Sequence, residues 1–307
     1  MADATAGEIG EDGLISAVTG RLRAGPQALV GPGDDAAVVA TPDGRVVATT
    51  DVLVEGVHFR RDWSAAYDVG RKAAAANLAD VAAMGGVGTA LLVGLTAPAD
   101  LPVAWVTGLA DGLRDEAALV GAALVGGDTV RGGQVVVSVT ALGDLQGRRP
   151  VLRSGARDGD VVVVAGELGG SAAGLALLLS GHRTGPLVEA HLRPTPPYHL
   201  GPVLADAGAT SMCDVSDGLV VDLLSLCRPS RVGVLLDVAA LPAAAGAGPQ
   251  DVLHGGEDHA LLATVPLSAV DALADLGVVA VGRVRSGTGV GDLDGRVLEP
   301  RGWQHFS

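Results

Sequence analysis

The chain has 307 residues, of which 48% are hydrophobic, and this is enough for two domains with substantial cores. It carries 35 acidic and 21 basic residues, and the formal net charge of −14 argues against a bare electrostatic surface for nucleic acid or anionic lipid. A negatively charged ligand would therefore need a cation as intermediary. Cys213 and Cys227 lie in apolar surroundings without metal-ligand spacing, which favours reduced, buried thiols in a cytoplasmic protein.

Two segments bear on export and on membrane insertion. The N-terminal MADATAGEIGED is acidic and lacks the basic and apolar regions of a signal peptide, so no export is expected. Residues 81–99 are uncharged but contain several glycines and Pro98, which predicts a helix end, a turn and a strand rather than a membrane span.

Short β-branched runs alternate with Ala/Leu-rich stretches along the chain, a pattern typical of α/β or α+β architecture. The predicted strands are 35–40, 45–51, 89–95, 134–142, 161–165, 232–237, 260–265 and 278–284. The predicted helices are 10–23, 65–84, 102–122, 171–181, 197–207, 217–227 and 267–275. The polar, turn-rich stretch 145–160 predicts a boundary between domains 1–147 and 148–307, and 241–250 is a loop by composition.

Acids in the N-terminal half follow turns and element ends. Asp34 and Asp35 follow a Gly-Pro-Gly turn in GPGDDAAVV, where ordinary turn chemistry is one explanation and a ligand role the other. The strand 45–51 ends in TTD and so delivers two hydroxyls and a carboxylate to its end. Asn77 and Asp80 share one face of helix 65–84. Because Asp80 lies near the negative end of the helix dipole, we expect a positive partner for it.

The same design recurs further along the chain. A short apolar strand leads to Asp128 in ALVGGDTVRGG, and SMCDVSDGL places Asp214, Ser216 and Asp217 before an apolar helix. Ser216 or Asp217 could equally be that helix's N-cap. Carboxylates beside Gly, Ser and Thr suit hard divalent ions, and Mg²⁺ usually binds through a few carboxylates together with substrate phosphates. The pattern therefore predicts magnesium and a polyphosphate ligand.

Familiar nucleotide-binding motifs do not account for such a ligand. The single lysine, Lys72, precedes Ala, so the phosphate-binding loop of P-loop enzymes is excluded, and the protein-kinase motifs are missing too. The stretch VVVVAGELGGSAAGLALLL (161–179) predicts strand, glycine turn and helix, whose N-terminal amides either hold an anion or serve packing alone.

Six motifs, in order, carry a resemblance over nearly the whole chain: GPGDDAAVV, TTDVLVEGVHF, NLADVAAMGG, LVGGDTVRG, CDVSDGL and GGEDHALL. With them the chain resembles the thiamine-monophosphate kinase family, in the superfamily of ATP-binding enzymes that includes aminoimidazole ribonucleotide synthetase. The resemblance implies an α+β fold of two α/β-type domains. The N-terminal one has a mixed sheet with flanking helices, binds ATP and Mg²⁺ and forms a homodimer, and the C-terminal one completes the substrate site.

The implied reaction is in-line transfer of the γ-phosphoryl group of ATP to thiamine monophosphate, assisted by several Mg²⁺ ions and giving thiamine diphosphate. The implied metal ligands are Asp34, Thr49, Thr50, Asp51, Asp80, Asp128, Asp214 and Asp217. The implied nucleotide contacts are Gly127, Asp128, Arg153 and Ser216, and the implied substrate contacts are His58, Glu257, Asp258 and Trp303. Asp51, Asp128, Asp217 and Arg153 are expected to carry catalysis by positioning and charge neutralisation.

Three of these residues also have a purely structural explanation. His58 could be a satisfied strand histidine, Trp303 a docking residue and Arg153 a solvated linker residue. The chain also departs from the family pattern, because an aromatic expected near Asp111 is missing, His259 follows GGED in place of an aromatic, and the loop 241–250 is short. Alternative functions are an enzyme of the same superfamily with another acceptor, or a noncatalytic binder of Mg²⁺ and nucleotide. Neither nucleic acid nor membrane is an expected partner.

Overall fold

The structure, a computed structural model, describes residues 4–23, 25–30 and 38–302. It divides into two compact units, one formed by 1–81 with 87–146 and the other by 82–86 with 147–307. The described helices include none that is both long and apolar enough to cross a bilayer.

The first unit contains helices and strands. In chain order they are α1 (Ala6–Thr19), β1 (Ala28–Val30), β2 (Val38–Val39), β3 (Val47–Val54), α2 (Ala66–Ala83, whose last two residues belong to the second unit), β4 (Val87–Ala97), α3 (Val103–Ala118), β5 (Ala123–Arg131) and β6 (Val136–Asp144). The main sheet has the order β3-β6-β4-β5, and since β4 and β5 run parallel while the other pairs are antiparallel, the sheet is mixed. β1 and β2 form a separate antiparallel pair.

Two glycines set how closely α2 and α3 pack in the first unit. A Cβ on Gly112 would lie 2.1 Å from the Tyr67 carbonyl oxygen, and a Cβ on Gly70 would lie 2.2 Å from the Leu109 carbonyl oxygen. The two helices therefore approach backbone to backbone, which only glycine permits.

The second unit contains a larger sheet between helices. Its elements are β7 (Val161–Ala165), α4 (Gly170–Leu179), α5 (Pro186–Leu192), α6 (Leu200–Asp206), β8 (Ser211–Asp214), α7 (Leu219–Ser230), β9 (Val232–Leu236), α8 (Pro249–His254), β10 (Leu261–Val265), α9 (Val270–Ala274), β11 (Val279–Ser286) and β12 (Gly289–Asp292). The sheet order is β12-β9-β11-β7-β10-β8. Alternate residues of β7 enter two different apolar clusters, with Val162 and Val164 in one and Val161 and Val163 in the other. A strand covered on both faces explains the unbroken valine run at this position.

The predicted elements agree with this fold in kind, and the strand 161–165 is confirmed at both ends. The helix predicted at 10–23 begins earlier, at Ala6, and is interrupted at Gly10, whose φ of 69° is not helical. The strand β8 and the helix α5 were not predicted, and α8 begins inside the segment predicted as a loop. Residues 35–37 of the first predicted strand lie outside the described residues, and Val38–Val39 form β2.

Candidate active site

In the first unit, β3 and α2 bring several predicted side chains together. The Thr49 hydroxyl donates to Asp80 Oδ2 over 2.7 Å, and the Asp51 amide donates to Asn77 Oδ1 over 3.0 Å. Side chains alternate between the faces of a strand, so Thr49 and Asp51 share the face that meets α2. The oxygen atoms of Thr49 and Asp80 are thus neighbours. The expected positive partner of Asp80 stays a prediction.

Thr50 lies on the other face of β3. Its hydroxyl donates to the Val139 carbonyl over 3.0 Å and accepts from the Thr140 hydroxyl over 3.1 Å. Its side chain therefore faces away from Thr49 and Asp80, and the three side chains cannot share one cation in this arrangement. The sequence could not separate the two threonines without knowing which face of the strand α2 covers.

The turn after β3 fixes His58. The Val54 amide donates to His58 Nδ1 over 3.0 Å, and the His58 amide donates to the Val54 carbonyl over 2.9 Å. The buried Lys72 of α2 donates from Nζ to the His58 carbonyl over 3.3 Å. Because Nδ1 accepts a hydrogen bond, the proton of the neutral ring sits on Nε2. The local bonding explains how this histidine is held and leaves its substrate role a prediction.

β5 ends beside a large apolar cavity in the first unit. The cavity has a volume of about 860 Å³, and its walls are apolar residues of α1, α3, β4 and β5 such as Val18, Leu109 and Leu113. Gly127, Asp128 and Thr129 form part of its lining. Gly127 and Asp128, two of the predicted nucleotide contacts, thus lie at a pocket with apolar walls, as a base would require.

Near this cavity, a cluster of charges joins α3 to Arg21, which follows the end of α1. Asp111 accepts hydrogen bonds from Arg21 over 2.9 and 2.7 Å and from Arg114 over 2.5 Å. The pKa of Asp111 is lowered, chiefly by its hydrogen bonds with Arg21. The position near which the sequence lacks the family's aromatic is therefore occupied by an ion-pair cluster.

In the second unit, Asp214 ends β8, and the loop between β8 and α7 carries Ser216 and Asp217. One buried carboxylate oxygen holds it, because Asp222 Oδ2 accepts the amides of Ser216, Asp217 and Gly218 over 3.1, 3.0 and 3.1 Å. Gly218, with a φ of 121°, occupies the N-cap of α7. The suggestion that Ser216 or Asp217 caps this helix is therefore wrong, since the cap is a glycine and the acceptor lies within the first turn.

Burial raises the pKa of Asp222 to about 7, and the charge of Asp214 adds to the rise. The amide hydrogen bonds oppose it because they favour the ionised form. This residue was not among the predicted site residues. Its signal in the sequence is an acid in the first turn of a helix that follows Asp-Gly.

The GGEDH segment is bonded along its backbone to the Asp214–Asp217 loop. The Glu257 amide donates to the Ser216 carbonyl and the His259 amide to the Val215 carbonyl, both over 2.8 Å. Glu257 and His259 have φ values of 63° and 53°, in the left-handed region that few non-glycine residues adopt. A Cβ on Gly256 would lie 2.3 Å from the Ser216 carbonyl oxygen, so the close approach requires glycine there.

The two acids of this segment have different surroundings. Asp258 accepts the amides of Gly169 and Ser171 over 2.6 and 2.9 Å, so the anion at the N-terminus of α4 is the chain's own carboxylate. Burial raises the pKa of Asp258 to about 6, against the opposing effect of those two hydrogen bonds. Glu257 Oε2 lies 3.7 Å from His191 Nδ1, and its side chain is 32% exposed. Of the two acids, Glu257 is therefore better placed to meet a ligand.

His191 also lies 3.0 Å from the Ser171 hydroxyl, so a serine, a histidine and a glutamate meet in the second unit. Both partners approach the same ring nitrogen, Nδ1, whereas a nucleophilic relay uses the two nitrogens separately. Ser171 and His191 are also buried, so this group supports Glu257 rather than forming a nucleophile.

Arg153 is exposed in the segment that precedes β7. Its charge lies close enough to Cys213, on β8, to oppose the burial that raises the pKa of that thiol. Arg153 is thus near the strand that delivers Asp214 and belongs to the same unit.

The predicted metal ligands have the right chemistry for Mg²⁺, since all of them offer oxygen atoms. Within residues 4–23, 25–30 and 38–302, no three His, Cys, Asp or Glu side chains are grouped closely enough to hold a metal ion. Among the described residues, Thr49 and Asp80 bring two of the predicted ligand oxygens together, 2.7 Å apart. Asp34, Asp35 and Trp303 lie outside the described residues.

Comparisons with known proteins identify the family of this chain. Residues 33–145 match the N-terminal domain of AIR synthase related proteins, and residues 157–291 match the C-terminal domain. The chain is 47% identical to a thiamine-monophosphate kinase of Mycobacterium tuberculosis over 97% of its own length and 92% of that protein's. This chain belongs to the thiamine-monophosphate kinase family. It is therefore an enzyme of the kinase class, with the α+β fold of two domains that the sequence predicted.

Solved structures of the thiamine-monophosphate kinase family have the same fold. A thiamine-monophosphate kinase from Stenotrophomonas maltophilia superposes with a TM-score of 0.82 at 33% identity, covering 94% of this chain and 96% of its own. AaThiL complexed with AMPPCP and TMP superposes with a TM-score of 0.79 at 35% identity, covering 97% and 98%. A family member thus binds an ATP analogue and TMP on the same two-domain framework.

Proposed function

We propose that this chain transfers the γ-phosphoryl group of ATP to the phosphate of thiamine monophosphate and so produces thiamine diphosphate. The observation that carries the proposal is the 47% identity to a thiamine-monophosphate kinase over nearly the whole chain. The AaThiL structure that holds AMPPCP and TMP supports the choice of both substrates.

The chemistry of the acceptor suits the residues available. The nucleophile is a phosphate oxygen that is already ionised at neutral pH, so the reaction needs positioning and charge neutralisation more than a strong base. When bound, Mg²⁺ would neutralise the phosphate charges and orient the oxygens for in-line transfer. We assign its binding to the carboxylates of Asp51, Asp80, Asp128, Asp214 and Asp217, to the hydroxyl of Thr49, and to Asp34 from the sequence. The Thr50 side chain is left out because it bonds within the sheet on the opposite face.

The nucleotide has a site in the first unit. We propose that adenine enters the apolar cavity beside β5, with its phosphates toward Gly127 and Asp128. In the second unit, we assign Arg153 and the Ser216 hydroxyl to the nucleotide from the family motifs. The ion pair of Arg21 and Asp111 takes part in shaping the cavity where the family resemblance led us to expect an aromatic ring.

The residues we assign to the acceptor are those that the family motifs imply. In the first unit we assign His58, in the turn after β3, to thiamine monophosphate. In the second unit we assign Glu257, in the GGEDH segment. Asp258 keeps Glu257 in place through its bonds to the start of α4. Trp303 would lie against the thiazolium cation, a contact that contributes roughly 0.5–2 kcal/mol.

We also propose that the enzyme is a homodimer in the cytoplasm. Large apolar side chains are exposed on β3 and β5, with Val52 at 45% and Val130 at 51%, and this supports a covered surface in the assembly. The buried, unpaired Cys213 and Cys227 agree with a reducing compartment. A molar mass by light scattering equal to one chain would contradict the dimer.

The test is a product assay. The purified protein is incubated with ATP, Mg²⁺ and thiamine monophosphate, with free thiamine in a parallel sample, and the thiamine phosphates are separated by chromatography. We expect thiamine diphosphate from the monophosphate alone, and no product after substitution Asp51→Asn or Asp217→Asn in a folded protein. Nucleotide binding without product would favour another acceptor or a noncatalytic relative.

A further inference from the structure

A buried hydrogen bond joins His259 to Asp214. His259 Nδ1 lies 2.9 Å from Asp214 Oδ2, and the two residues are only 6% and 3% exposed. They come from adjacent chain segments of one sheet, since Asp214 ends β8 and pairs with Leu261 of β10. The pairing of β8 with β10 therefore brings the two residues side by side.

The backbone of His259 is held in an uncommon conformation. Its φ is 53°, and its amide donates to the Val215 carbonyl over 2.8 Å. Histidine tolerates this left-handed region better than most side chains, although the conformation still has a cost. Backbone and side chain of this one residue thus bond to Val215 and Asp214, the start of the loop that carries Ser216 and Asp217.

This hydrogen bond engages only one of the two oxygens of the Asp214 carboxylate. Nδ1–H is a donor in one neutral tautomer and also in the charged ring, and Asp214 as a carboxylate can only accept. The imidazole therefore takes Oδ2 and fixes the plane of the carboxyl group. Oδ1 is then presented in one orientation instead of several, which is how groups behind a ligand act in metal sites.

We propose that His259 is a positioning residue that orients the Asp214 carboxylate for a divalent cation. The inference rests on the proposed function, in which Asp214 is one of the metal ligands. His259 does not touch the cation itself. A purely structural role would instead lower the stability of the second unit and leave cation affinity unchanged.

The test uses direct cation binding by the full chain. Mn²⁺ is titrated into protein saturated with a non-hydrolysable ATP analogue, and free Mn²⁺ is measured by electron paramagnetic resonance against an analogue-only control. Two substitutions remove the donor: His259→Phe keeps a ring, and His259→Gly adopts the positive φ without strain. His259→Asn is the matched control, because asparagine tolerates this backbone and keeps an N–H donor near the position of Nδ1.

We expect His259→Phe and His259→Gly to weaken Mn²⁺ binding by about 10- to 100-fold, and His259→Asn to restore most of the affinity. Thermal unfolding without cation shows which variants are folded, and one folded donor-less variant is enough. Wild-type affinity in that variant, with binding lost in Asp214→Asn, would overturn the inference and leave the proposed function standing. Unchanged binding in Asp214→Asn would overturn the metal assignment of Asp214 and the inference with it.

Discussion

Asp222 offers a sharp test of how the loop before α7 is held. Its Oδ2 accepts the three amides of Ser216, Asp217 and Gly218, and the residue is 4% exposed. Asp222→Ala removes this acceptor, whereas Asp222→Asn keeps a carbonyl oxygen for the same amides and removes only the charge. The pair of variants therefore separates the acceptor from the carboxylate.

The expected cost follows from the amides that lose their partner. An unsatisfied buried donor costs about 1–3 kcal/mol, and the half-buried Ser216 and Asp217 can partly rehydrate. We expect Asp222→Ala to lower the free energy of unfolding by about 3–5 kcal/mol. Asp222→Asn should lower it by only about 1 kcal/mol, since it also relieves the burial and repulsion that raise the pKa of Asp222 to about 7.

The measurement is urea unfolding of both variants at pH 8, where most of the wild-type carboxyl is ionised. Catalytic rates at saturating Mg²⁺ report whether the loop keeps Ser216 and Asp217 in place. The rate should fall further in Asp222→Ala than in Asp222→Asn. Equal destabilisation by Ala and Asn would show that charge, not the acceptor, holds the loop. A loss below about 1 kcal/mol for Ala would refute the hydrogen-bond argument altogether.

Three other predictions concern distant parts of the chain. Because the folded pKa of Asp258 is raised to about 6, its contribution to stability is present below about pH 4 and is lost as the pH rises through 6. The difference in unfolding free energy between wild type and Asp258→Asn should therefore fall by up to about 3 kcal/mol from pH 4 to pH 7, and a constant difference would contradict it. Gly112→Ala should destabilise the first unit by more than about 2 kcal/mol in thermal unfolding, because its Cβ would lie 2.1 Å from the Tyr67 carbonyl, and a wild-type melting curve would refute this close approach. Asp111→Ala should raise the KM for ATP severalfold with little change in kcat, since it frees Arg21, the neighbour of Leu22 in the cavity wall, and an unchanged KM would separate this ion pair from nucleotide binding.

Much of the architecture could be predicted from local patterns. The valine run at 161–165 indicated a buried strand, and the structure places it between two apolar clusters. The helices α2 and α3 followed from Ala/Leu-rich stretches of helical length. The strand β8 escaped because it has only four residues, too few for a periodic pattern, and is stabilised by its pairing with β10.

The candidate site divides in the same way. The sequence by itself determined which segments carry acids beside small polar residues, and six motifs in order identified the family, because such chemistry depends on residue types and their spacing. Only the tertiary structure decided which atoms meet. It put Thr49 with Asp80 and Thr50 on the opposite face, gave Asp258 to the start of α4, and set His259 against Asp214. These pairings depend on strand register and on which face of a strand a helix covers, and both are long-range properties that no local stretch of sequence contains.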